Sequence, residues 1–404
     1  MVPSLGPDEV WQRGIRYAKN LYTEEPEGFR GFSIGYRWNE GAWRKRDSYK
    51  YEIGWCGQNA SYAVSLMYDA QMNSDNESLD MAVTVLDSWL SKARSKQGYL
   101  LTRYDPPNMP IDACNLGTAG LQFFAAASIA KILGKSYEEY EKAAFDICHF
   151  TIERQRLDGG IGMKWNQDGS ALELRGTAGG FLILPLAEAF RRTGDGKYNT
   201  AAVRAYTYYY NEFMKNGYGT AGALDTYCID KESVIPLLKG GILMYKATGF
   251  RRYIDFAREA AWYLSTWQWH HSVNYPPDSV LARMGYDTFG GTAVSTSHQH
   301  IDPFAICYVP DLIELSRLTG EPQWKERALA IWVNGVQCIS DGTYEVMGKS
   351  ARPEGSQDEG YLHTRWGDSD NKDGYFSVSQ WLVAWPGAFR LECLRSSLNW
   401  NIFK

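Results

Sequence analysis

Two of the six histidines fall in one short stretch, Thr296-Ser297-His298-Gln299-His300-Ile301-Asp302-Pro303, just ahead of an apolar run that begins at Phe304. Histidines at i and i+2 with a carboxylate beside them suit proton transfer, a substrate clamp or metal ligation. Pro303 marks the first turn of a helix, where proline's missing N–H costs nothing, and Asp302 stands where an acid meets the positive end of that helix. Taken singly, each of these residues is equally well explained by capping and loop hydrogen bonds. Five other junctions carry the same grammar. They are Tyr51-Glu52-Ile-Gly-Trp55-Cys-Gly-Gln58-Asn59, Pro110-Ile-Asp112-Ala-Cys-Asn115, Glu173-Leu-Arg175-Gly-Thr177 and Asp225-Thr-Tyr227-Cys-Ile-Asp230, followed by a last loop with Arg352, Asp358, Glu359, His363, Arg365, Trp366 and Asp368.

The elements that carry these junctions are helices. Apolar residues recur at helical spacing over 8–24, 56–72, 77–94, 115–134, 137–155, 177–194, 198–215, 231–248, 252–269, 304–319, 323–339 and 379–396, and strand-like alternation is nearly absent. Gly134, Gly194, Gly249 and Gly320 each end one helix shortly before an aromatic residue opens the next, which repeats a helical hairpin along the chain. The even-numbered helices are small and apolar all round, as in Leu116-Gly-Thr-Ala-Gly-Leu, so they belong inside. The odd ones carry charge stripes and belong outside. Short links follow the even helices and long ones the odd helices. Six inner helices inside six outer ones make a single all-α domain over 1–404, an (α/α)6 toroid with every long loop at one rim.

Composition narrows the partners. A net charge of −5 offers no basic stripe for nucleic acid, and neither a signal peptide nor an 18-residue apolar span appears, so the chain as given reads as cytoplasmic, or as periplasmic or secreted where a leader has been trimmed from it. Seven scattered cysteines, never spaced CxxC, suit buried thiols better than disulfides or a zinc site. The 15 Trp and 27 Tyr supply flat faces for a ligand with apolar CH faces and many hydroxyls.

The chemistry that fits such a rim is glycosidic bond cleavage, which needs two carboxyls in different surroundings and aromatic and polar groups to hold the sugar. Asp112 and Glu173 stand at matching points of successive repeats and form the first acid/base pair, with His300 and Asp302 the second. Trp55, Arg175, Asp225, Tyr227, His298, Asp358, Glu359, Arg365 and Trp366 are the substrate-binding candidates, and the two arginines suit a carboxylate. The His298/His300/Asp302 spacing departs from helical zinc motifs, and no nucleotide-binding or hydrolase-elbow motif occurs, so neither metal nor cofactor is expected.

In this arrangement the chain resembles the six-hairpin glycosidase clan, most of all its families acting on uronic acids, the unsaturated glucuronyl and rhamnogalacturonyl hydrolases and β-glucuronidase-like proteins. In the unsaturated-uronide hydrolases the working acids sit at the starts of the second and third inner helices, here Asp112 and Glu173, with an aspartate where Glu173 stands. The resemblance implies an oligosaccharide substrate and no metal. N-acylglucosamine 2-epimerases use the same toroid and histidine proton transfer, so a sugar epimerase is the enzyme alternative. A non-catalytic glycan-binding module is the alternative from another class.

Overall fold

In a computed structural model, which describes residues 2–220, 228–297, 300–346, 348–362, 378, 381–397 and 399–404, a helix forms at each of the twelve predicted places. In chain order they are α1 Pro7–Leu21, α2 Asn59–Asn73, α3 Asn76–Lys92, α4 Ala113–Ile132, α5 Glu138–Arg154, α6 Ile183–Thr193, α7 Gly196–Asn216, α8 Ile235–Thr248 and α9 Arg252–Thr266. There follow α10 Val280–Met284, a short helix inside a long loop, then α11 Val309–Thr319, α12 Pro322–Gly335 and α13 Trp385–Arg395. The glycine stops work as read: Gly194, Gly249 and Gly320 take left-handed φ of 69°, 75° and 75°, and their N–H groups close the last turns of α6, α8 and α11.

Two expectations needed revision. The last helix begins at Trp385 rather than 379, because Leu382–Val383 pairs as a strand with Gly35 and Tyr36. The long loops also hold small antiparallel ladders, whose strands of two to five residues are too short to show alternation. Three of these strands, Ile111–Asp112, Ile229–Asp230 and Ile301–Asp302, run straight into an inner helix or the 3-10 turn that opens it. They pair respectively with 164–165, 219–220 and 292–293.

The chain forms two compact units, one of residues 1–22, 32–47 and 265–404 and the other of 23–31 and 48–264. In the second unit α4 packs against α2 and α6, and α6 against α8, while α3, α5 and α7 cover α2, α4 and α6. Close approach needs small residues. A Cβ at Gly117 of α4 would lie 2.3 Å from the Phe181 carbonyl oxygen, and one at Gly120 would lie 2.7 Å from Pro185. In the first unit α1 packs on α13, α11 on α12, and α13 on the 3-10 turn Pro303–Tyr308.

Gly117→Ala is therefore expected to destabilise by about 2 kcal/mol, since the opposing atom is backbone and cannot swing away. Urea unfolding checks this against Gly98→Ala, where nothing lies within 4 Å and only the positive φ of 85° is strained.

Candidate active site

In the second unit, acids gather at the amino ends of successive inner helices. Asp112 is extended at the N-cap of α4 and 1% exposed; its carboxylate accepts from the Asn115 backbone N–H at 2.8 Å and from the Asn115 amide at 3.0 and 3.2 Å. Asn115 also accepts from Gly54 N–H at 3.0 Å, tying loop 1 to the Asp112 cap. Glu52, from loop 1, accepts from the Cys56 N–H at 3.0 Å and from the Arg103 guanidinium. Asp230 repeats the capping role ahead of α8, accepting from the Ser233 N–H and hydroxyl at 3.3 and 3.2 Å. Lys231 and Glu232, its neighbours, are buried as well.

These groups feel one another. Burial pushes the Glu52 carboxyl up; Arg103 opposes this and Asp112 adds to it. Burial also pushes the Cys114 thiol well up, and the charges acting on it are Asp112, Asp230 and Glu232, with Lys164 opposing. Four carboxyls, Glu52, Asp112, Asp230 and Glu232, thus lie within electrostatic reach of α4's first turn. Such an arrangement can keep one carboxyl protonated while another stays ionised.

Glu173 differs from the sequence reading. It sits in the strand Ala171–Glu173, and the third inner helix opens further on, at the 3-10 turn Ala178–Leu182 after Thr177. In register, Asp112 opposes Lys164 and Lys164 opposes Glu173, so the lysine strand separates the expected pair. Arg175 grips Glu173 through both carboxylate oxygens at 2.6–3.1 Å. These hydrogen bonds hold the Glu173 carboxyl down at about 2, which suits a fixed anion rather than a proton donor. Trp55 is 4% exposed, with its ring edge-on to Phe181 at 5.0 Å, and so packs as core.

In the first unit, Asp302 is 3% exposed and accepts from the Phe304 N–H at 3.2 Å at the start of its 3-10 turn. His300 is 7% exposed, and its ring lies where a Cβ on Gly360 would be, 2.3 Å away. Asp358 is fully buried and accepts from Arg352, itself 1% exposed; Glu359 is half-buried. Asp225, Tyr227, His298, Arg365 and Trp366 lie outside the described residues. Among the described residues, no three His, Cys, Asp or Glu side chains are grouped to hold a metal ion.

Sequence reading passed over Arg103, Lys164, Lys231 and Glu232, and gave Glu52 and Asp230 no role. One signal was present: the dipeptide Ile-Asp stands at three inner-helix starts, 111, 229 and 301, and at one other place, 254, within α9.

No protein-family profile and no curated protein matches the chain in sequence. Solved structures do match in fold. An unsaturated glucuronyl hydrolase from Bacillus sp. GL1, responsible for the degradation of glycosaminoglycan, superposes with a TM-score of 0.56 at 14% identity, covering 96% of this chain and 94% of its own. A D-mannose isomerase gives 0.59 at 12% identity over 96% of both chains. A polysaccharide lyase gives 0.61 at 12% identity, covering 96% of this chain and 53% of its own. The fold is thus the (α/α)6 toroid, which a hydrolase, an isomerase and a lyase share.

Arg103→Met is expected to destabilise by about 3 kcal/mol at pH 8, because it leaves a buried carboxylate without its cation. Glu52 has a raised folded pKa, so its contribution is full below the unfolded value near 4.5 and is lost as pH rises through the folded value. The deficit of the variant should therefore shrink as pH falls towards 5, as followed by urea unfolding at several pH values.

Proposed function

We propose that the protein is a glycoside hydrolase acting on a uronic-acid-bearing saccharide, with Asp112 and Glu52 as its acid/base carboxyls. The observation that carries this reading is the buried pair itself. Glu52's surroundings favour its proton, while Asp112 is held as an acceptor by Asn115. In this reading Glu52 protonates the leaving oxygen, and Asp112 acts opposite it as base or nucleophile. Arg103 and Lys164, set beside Glu52 and Asp112, are the cations that would meet a carboxylate carried by the substrate. The fold likeness to a glucuronyl hydrolase supports the same substrate class.

A sugar isomerase or epimerase is the second reading, favoured by His300 lodged against Gly360 beside the Asp302 cap and by the fold likeness to D-mannose isomerase. Its signature is deuterium uptake from heavy water into the sugar with no aglycone released.

The test is a panel of aryl glycosides, glucuronides included, and unsaturated uronyl disaccharides. Asp112→Asn and Glu52→Gln should each lower kcat roughly 10²-fold or more, whereas Glu173→Gln should cost less than about tenfold. Full activity in both Asp112→Asn and Glu52→Gln would eliminate this acid pair. Unchanged affinity with no turnover by the parent would make the protein a glycan-binding module.

A further inference from the structure

The hairpin formed by Gly35–Asn39 and Ala42–Lys45 carries a net positive charge, opposite in sign to that of the chain as a whole. Between residues 36 and 46 stand Arg37, Arg44, Lys45 and Arg46 against Glu40 alone, in a chain of net charge −5. The register sets Arg37 directly opposite Arg44, with Trp38 opposite Trp43 on the other face. Opposed residues project from the same side, and Arg46, two positions beyond Arg44, follows them. Leu382 pairs with Tyr36 at the hairpin's other edge, so Trp381 falls beside Arg37 in that register. The Trp381 side chain is 44% exposed, and the Arg46 guanidinium lies over its ring, 5.2 Å from the centroid.

Two like charges directly opposed on a sheet are destabilising. The relief inside the molecule is slight. Glu40 meets Arg44 at 3.5 Å with both side chains more than half exposed, an ion pair of small worth. Among the described residues no carboxylate pairs with Arg37, and the sheltered Nε of Arg46 has no acceptor. An external polyanion would relieve this repulsion through charge-assisted hydrogen bonds, and the Trp381 ring offers the flat face that sugar CH groups stack on. Strand pairing also ties the patch to the acids of its own unit. Trp381 accepts from the Glu359 N–H at 2.8 Å, Leu382 bridges to Asp358, and Tyr361 bridges to Ile301 between His300 and Asp302.

We propose that Arg37, Arg44, Arg46 and Trp381 form a binding face for the carboxylate- or sulfate-bearing sugars of an anionic polysaccharide. Resting on the hydrolase reading, the polysaccharide bound here is of the same anionic class as the proposed substrate.

The test uses the full chain and calorimetric titration with oligogalacturonate and a size-matched heparin oligosaccharide, at low and physiological salt. At least one should bind, more weakly as salt rises, and comparison of the two separates carboxylate from sulfate recognition. Arg37→Ser/Arg44→Ser should weaken binding by about tenfold or more, and Trp381→Ala should weaken it as well. Both variants should turn over a small aryl uronide at the parent's kcat while their KM for a polymeric uronide rises. Thermal unfolding of the double variant should match the parent or exceed it, since a repulsion has been removed. The proposal is overturned if neither oligosaccharide binds, if the variants bind as tightly as the parent, or if a single-stranded polynucleotide of equal charge binds as tightly as the better saccharide. Saccharide binding without turnover of any uronide would remove the hydrolase and leave the face standing; turnover of a small uronide without such binding would do the reverse.

Discussion

Burying the amino end of a helix is the constraint from which the rest follows. The first N–H groups of a helix have no partner within it, and where water is excluded they require acceptors from elsewhere. Here the acceptor is an acid delivered by a strand of two residues. Asp112 and Asp302 hold nearly the same backbone angles, φ −131° and −126° with ψ 152° and 157°, and each carboxylate folds back onto an N–H two or three residues on. Asp230 does the same ahead of its own helix. A single physical need has been met three times in the same way.

That solution creates the next problem. A desolvated carboxylate must be paired, hydrogen-bonded or protonated. The second unit answers with Arg103 and Lys164 and with the Asn115 amide; the first answers Asp358 with Arg352. Chemistry then depends on how unevenly the answers are shared out. Glu173 receives a bidentate arginine near solvent and is locked as an anion, while Glu52 shares its arginine in a buried setting and keeps a higher affinity for its proton. The two glutamates differ in surroundings rather than in chemistry.

The helices were legible because they rest on local signals. Glycine stops, aromatic starts and all-round apolar faces are readable along the chain, and the α4 and α8 segments declared themselves inner by carrying glycine where neighbours come close. Asp112 and Asp302 were legible for the same reason, as acids at helix starts. Glu173 matches Asp112 in repeat spacing but not in position, because the chain spends those residues on a strand and opens α6 through a 3-10 turn. Arg103 and Lys164 could not be found this way. Each is brought to its acid by pairing with a distant strand, Glu52 with Arg103 and Asp112 with Lys164, and two-residue strands leave no periodic trace.

The same reasoning accounts for a fold kept at 12–14% identity by a hydrolase, an isomerase and a lyase. Small residues such as Gly117 and Gly120 are fixed by the spacing of backbones and say nothing about substrate. The junction residues are fixed only in part: something must accept the helix N–H groups, yet the surrounding loop decides whether that acceptor is solvated, paired or protonated. Net charge is equally uninformative about such placement. A chain of −5 can still set Arg37 against Arg44, because strand register rather than composition determines which charges meet. Function in this architecture therefore varies with loop register at the inner-helix ends, and the toroid constrains it only by requiring an acceptor there.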